Sequence, residues 1–115
     1  MSVSRPSLKP RNADAAHIFA ALGDETRLQL VARLCTAGPL SIARLTDGTA
    51  VTRQAITKHL TVLADVGLVR GTRNGRERVW EVEPRQLEEA RRYLDLISRQ
   101  WDESLGRLQL LVERS

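Results

Sequence analysis

Apolar residues recur along this chain at two periods. From about residue 14 to 66 they return every three or four positions, and from 84 onward that spacing resumes; between 68 and 82 they alternate. A period near 3.6 predicts amphipathic helices and a period of 2 predicts strands. The first stretch divides into four helices. Asp14 reads as the cap of the first, Ala15 to Leu22, with Ile18, Phe19 and Leu22 on one side, and Gly23 stops it. Asp24 caps the second and places Glu25 in its first turn, where the helix dipole favours an acid. In it Leu28, Val31, Leu34 and Cys35 repeat at core spacing, and Gly38-Pro39 ends it. Ser41 caps a short third helix holding Ile42 and Leu45, and Asp47-Gly48 begins a turn. Thr52 caps a fourth helix, which ends before Gly67.

In the alternating stretch, Leu68, Arg70 and Thr72 face away from Val69 and Gly71; after Arg73-Asn74-Gly75-Arg76, Val79 and Glu81 face away from Trp80 and Val82. Asn-Gly between two such runs predicts a hairpin with a type I′ turn, which needs positive φ at both central residues. Pro84 suits a first helical position, and neither proline nor a turn cluster follows it, so one helix of about 28 residues is expected. The fold class is therefore mainly α with a small β-hairpin. The third and fourth helices (42–66) and a two-stranded wing (68–82) form a winged helix-turn-helix. The long helix (85–113) completes a single domain over 13–115. Residues 1–12, with Pro6, Pro10, Arg5, Lys9 and Arg11, read as a disordered basic arm.

The net charge of +4 is unevenly spread: segment 51–80 alone carries +4, whereas 13–50 carries −1 and 81–115 carries −2. Arginine excess from codon usage alone would be scattered; a basic segment between acidic ones points to a polyanionic partner. One cysteine cannot form an intrachain disulfide, and with two histidines it cannot build a structural zinc site from one copy. No apolar run is long enough to span a membrane, and residues 1–10 lack the apolar core of a signal peptide. A reducing cytoplasm is the expected setting.

With Gln54 at 0° and about 100° per residue, Thr57, Lys58 and Thr61 fall within about 60° of it and Arg53 lies at the flank. Ile56, Leu60 and Leu63 occupy the opposite side. Arginine can bridge guanine, glutamine can bridge adenine, and threonine offers a hydroxyl or a methyl, so the outward set suits base edges in a major groove. Thr52, Arg53, Gln54, Thr57, Lys58 and Thr61 are the candidate DNA contacts of this helix. An ordinary solvated face would carry acids; here Asp65, at the far end, is the only one. His59, at the edge of the apolar side, reads as a partly buried histidine, with a phosphate contact as the other reading. In the wing, Arg73, Asn74, Arg76 and Arg78 are candidate contacts to the backbone or minor groove. Arg78 could instead pair across the hairpin, for example with Glu81.

Taking Leu87 as position a, the a/d series of the last helix reads Leu87, Ala90, Leu94, Ile97, Trp101, Ser104, Leu108, Leu111. One protomer of this size has too little body to cover such a stripe. The stripe is expected to meet a second copy, together with Ile18 and Phe19 of the first helix. A two-fold dimer presents two reading helices to a pseudo-palindromic site.

The stretches Ala21 to Leu34 (ALGDETRLQLVARL) and Gly38 to Pro84, with TRQAITKHL, GLV and a G-R-x-R wing, resemble the ArsR/SmtB family of bacterial winged-helix repressors. The resemblance covers roughly residues 14–115. The family usually has its turn glycine at the position of Ala50, whereas this chain has Gly48. The resemblance implies a homodimer through the first and last helices, and repression by operator binding, modulated by a signal. It also implies that Arg53, Gln54, Thr57 and Lys58 face the major groove. Members that sense metals use cysteine pairs or Asp/His ligands. This chain has no cysteine pair and no histidine in its last helix, so it is similar to the subgroup without metal sites and no cofactor is expected. Cys35 reads as a core residue, with a thiol sensor as the alternative. The expected function is a sequence-specific DNA-binding regulator, nucleoid-associated through double-stranded DNA and responsive to an unidentified small-molecule or redox signal. The alternative is a winged-helix protein-interaction module without DNA binding. No catalytic constellation supports an enzyme.

Overall fold

A computed structural model describes residues 12–114. Helix α1 spans Asn12–Leu22, α2 Glu25–Ala37, α3 Ile42–Thr46, α4 Arg53–Asp65 and α5 Pro84–Arg114; the strands are β1 Leu40–Ser41, β2 Val69–Asn74 and β3 Glu77–Val82. The expected basic arm lies outside the described residues, except Asn12. Because α1 is already helical at Asn12, Asp14 falls inside its first turn rather than at its cap.

The other caps hold. The Asp24 carboxylate accepts from the Arg27 N–H at 3.0 Å, the Ser41 hydroxyl from Arg44 N–H at 3.3 Å, and the Thr52 hydroxyl from Ala55 N–H at 3.1 Å. The exit of α4 is equally determined. Gly67, at φ 78°, donates to Ala64 O while Leu68 N–H donates to Leu63 O at 3.0 Å. This Schellman pair turns the chain directly from α4 into β2.

Two features of the wing differ from expectation. The sheet has three strands in the order β1-β3-β2, because Leu40 and Ser41 pair antiparallel with Trp80 and Val79. Two residues carry no alternation, so this strand leaves no signature. It fastens the start of the helix-turn-helix to the wing. The tip is also not a type I′ turn centred on Asn74-Gly75. Asn74 still pairs with Glu77, the loop is Gly75-Arg76, and only Gly75 has positive φ (67°). Glycine at the first central position is the type II′ pattern, which matches strand twist equally well.

The core gathers Ile18, Ala21, Leu30, Val31, Leu34, Leu45, Ile56, Leu60, Leu63, Leu68, Val69, Trp80 and Ala90. In α2 the buried face is Leu30, Val31 and Leu34, while Leu28 and Cys35, both expected inside, are exposed. The helix is rotated so that Leu30 packs and Leu28, about 110° from the centre of that face, does not. Ile18, expected at an interface, is buried in the protomer's own core. Phe19 is half-buried against Tyr93 of α5, with ring centroids 5.8 Å apart.

Helix α5 leaves this body behind. Leu87 and Ala90 pack on the core, but Leu94, Ile97, Trp101, Leu105, Leu108, Leu111 and Val112 are exposed. The radius of gyration is 18.7 Å, against about 13 Å for a compact domain near this length. Among the described residues no helix is long and apolar enough to cross a membrane.

Candidate nucleic-acid interface

The local sequence fixes α4 as the presenting element. Ile56, Leu60 and Leu63 are at most 1% exposed, so the helix cannot rotate about its axis without exposing them. That leaves Arg53, Gln54, Lys58 and Thr61 exposed and Thr57 half-buried beside them. The Thr52 cap satisfies one of the free N–H groups at the start of α4, and its own hydroxyl proton stays available to a phosphate.

Two arginines to which the sequence reading gave no role tie neighbouring helices together. Arg33 of α2 donates to Leu45 O at 2.9 Å and Arg44 O at 2.7 Å, closing the C-terminus of α3. Arg27 donates to Ala21 O at 2.5 Å and Ala20 O at 3.5 Å, closing the C-terminus of α1. Its guanidinium also lies 3.4 Å from His59 Nδ1 on α4. The only signal in the sequence was the Asp24-Glu25-Thr26-Arg27 run itself. His59 is half-buried as expected, 3.7 Å from the Asp24 carboxylate. The backbone N–H of Arg27 holds the Asp24 carboxyl below its ordinary pKa, with the Arg27 and His59 charges adding to this.

The wing stands beside α4. Arg70 on one face pairs with Glu81 at 2.8 Å and Glu83 at 3.3 Å, which raises its pKa and uses its charge internally. On the other face Arg73 lies directly opposite Arg78. Like charges at opposed positions destabilise a hairpin. Arg78 does not take Glu81; its guanidinium lies over the Trp80 ring, 4.7 Å from the centroid. Gly71 makes room for that stack, since a Cβ there would come within 2.7 Å of Arg78 Nε. Between α4 and the wing opens a cleft of about 390 Å³, lined by Ser41, Ile42, Ala43, Arg53, Thr57, Glu77 and Arg78.

The candidates thus fall into two sets, Thr52, Arg53, Gln54, Thr57, Lys58 and Thr61 at α4 and Arg73, Asn74, Arg76 and Arg78 around the wing, which meet where Arg53, Thr57 and Arg78 line that cleft. Among the described residues Arg53, Lys58, Arg73 and Arg76 pair with no carboxylate. No group of three or more His, Cys, Asp or Glu among the described residues could hold a metal ion.

Residues 22–72 match a family model described as a helix-turn-helix domain. The HTH-type transcriptional regulator Rv2034 of Mycobacterium tuberculosis is 37% identical over 102 residues, which cover 88% of this chain and 90% of the relative. The uncharacterized HTH-type transcriptional regulator YuzN of Bacillus subtilis is 45% identical over 74 residues, covering 59% of this chain and 78% of the relative. The structure of an ArsR-like transcriptional regulator from Rhodococcus sp. RHA1 superposes with a TM-score of 0.71 at 35% identity, covering 86% of this chain and 92% of that one. Shared with these regulators over most of their length at more than 30% identity, the chain belongs to the ArsR family and is a DNA-binding transcriptional regulator.

Proposed function

We propose that the protein is a homodimeric repressor that binds a pseudo-palindromic operator. The observation that carries this is the opposition of Arg73 and Arg78 beside the unpaired cations of α4. Arg73 and Arg78 occupy opposed positions of the hairpin, with Arg78 stacked on Trp80, and two like charges so placed are unfavourable in the free protein until a phosphate backbone supplies counter-charge. Thr52, Arg53, Gln54, Thr57, Lys58 and Thr61 enter a major groove, while Arg73, Asn74, Arg76 and Arg78 follow the backbone or the adjoining minor groove. The exposed stripe of α5, with Phe19 and Leu87 at its base, supports the dimer: Leu94, Ile97, Trp101, Leu108 and Leu111 meet their equivalents in a second copy. Ile18 supports this surface from beneath. Occupation of the operator in the cytoplasm then excludes polymerase, under a small-molecule or redox signal that remains to be identified.

The test is binding to the protein's own upstream region across a salt series, with in vitro transcription from the same fragment. The affinity should fall steeply with salt, and an Arg53→Ala/Gln54→Ala variant should bind at least tenfold more weakly. Salt-independent binding, unchanged affinity of the variant, or undiminished transcription would refute the proposal.

A further inference from the structure

Thr57 and Thr61 stand one turn apart on the outward face of α4, and each has already spent its hydroxyl proton. Thr57 Oγ1 donates to Arg53 O at 2.8 Å and Thr61 Oγ1 donates to Thr57 O at 2.9 Å. Thr36 and Thr46 make the same bond to Ala32 O and Ile42 O in α2 and α3. A helical threonine held this way is fixed at χ1 by the backbone carbonyl four residues back. It has no proton left for an acceptor. What remains to face a partner is the γ-methyl and the oxygen lone pairs.

This changes what the two side chains can recognise. A threonine that donates would suit the acceptors N7 and O6 of guanine or N7 of adenine. A threonine that offers a methyl suits the C5-methyl of thymine, which is the apolar feature of the major-groove edge. The flanking residues of the face are polar: Gln54, Lys58 and Arg53. The two methyls are therefore the apolar part of an otherwise hydrogen-bonding surface.

We propose that Thr57 and Thr61 determine specificity by methyl contact with two thymines in each operator half-site. This rests on the reading of α4 as the base-reading helix and adds the base class to it. The spacing follows from the helix. Positions i and i+4 are about 6 Å apart along the axis, and base pairs repeat every 3.4 Å or so, so the two thymines lie within about two base steps of each other.

The experiment starts with the full chain and a randomised duplex pool, from which bound sequences are selected and sequenced. In the tightest site each thymine is then replaced by deoxyuridine, which removes the methyl and nothing else, and affinity is read by fluorescence anisotropy. Two replacements in each half-site should each weaken binding about fourfold, the worth of one methyl-sized contact. The same titrations are run with Thr57→Val, Thr57→Ser, Thr61→Val and Thr61→Ser. The valine variants, which keep the methyl, should select the same sites. Each serine variant should lose about fourfold and become indifferent to deoxyuridine at its own position. Enriched sites without such thymines, or deoxyuridine without effect, overturn the proposal while leaving α4 as the reading helix. So does the reverse ranking, serine intact and valine impaired, which would mean that the hydroxyls turn outward and donate. If no duplex is enriched at all, the proposal falls together with the reading on which it rests.

Discussion

Trp101→Ala removes the largest exposed apolar side chain of α5 and tests the proposed dimer most directly. A tryptophan offers about 150–250 Å² for burial, and 65% of Trp101 is still exposed in the protomer. Roughly 100–160 Å² is therefore available to a partner. At about 25 cal/mol per Å² this area is worth roughly 2.5–4 kcal/mol if fully covered. Covering half of it in both protomers gives about the same total, equivalent to two or three decades in the dissociation constant. The substitution leaves the protomer alone, because α5 is anchored on its own domain by Leu87, Ala90 and the Tyr93–Phe19 contact. Leu110→Ala is the matched control: Leu110 is 58% exposed but lies about 180° around the helix from Trp101. Sedimentation equilibrium over a dilution series reads all three proteins. Trp101→Ala should dissociate at a concentration about a hundredfold higher or more, and Leu110→Ala should match the unsubstituted protein. A change under twofold for Trp101→Ala, equal weakening by Leu110→Ala, or an unsubstituted protein that is monomeric throughout would refute the reasoning.

Three further outcomes are expected. Leu60, 0% exposed between α4 and the core, should cost about 2–5 kcal/mol as Leu60→Ala, seen as a lower urea midpoint at unchanged slope; a loss below 1 kcal/mol would contradict its place in the core. Gly75→Ala should cost about 1–2 kcal/mol, because Gly75 has φ 67° with nothing within 4 Å, so the penalty is backbone alone; Gly75→Asn should lose less, and equal losses in urea melts would argue for a steric cause. Asp24 has a carboxyl pKa lowered from 3.8 by the Arg27 N–H, so its charge stabilises the fold above that value and ceases to as pH falls through the lower folded value. Asp24→Asn, which keeps an accepting oxygen, should melt below the unsubstituted protein at pH 7, with the gap shrinking as acid takes the pH below 3.8 and through the lower folded value; a gap of undiminished size once the folded carboxyl is protonated would rule out the charge as its source.

The parts of this protein that depend on neighbours within about four residues were legible in its sequence. Asp24, Ser41 and Thr52 cap their helices because a short side-chain oxygen meets the backbone N–H three residues on, and this needs no other part of the chain. The apolar spacing of α4 determined both its buried face and, by difference, the outward set of Arg53, Gln54, Thr57, Lys58 and Thr61. Segregation of charge was likewise readable, since segment 51–80 carries +4 between acidic segments. Partners distant in sequence were not. The side of α2 that packs, and hence the exposure of Leu28 and Cys35, depends on how the helix meets α4 and β3. The pairing of Leu40-Ser41 with β3 depends on an edge supplied some 40 residues later. The destinations of Arg27 and Arg33 depend on where the ends of α1 and α3 leave unpaired carbonyls. The wing shows both sides of the division: alternation with Asn74-Gly75 specified a hairpin, yet pairing of Asn74 with Glu77 shifted the tip to Gly75-Arg76. Local backbone preference selects the elements and their caps; burial and hydrogen-bond satisfaction, which are properties of the assembled chain, decide which faces meet and which side chains are left for DNA.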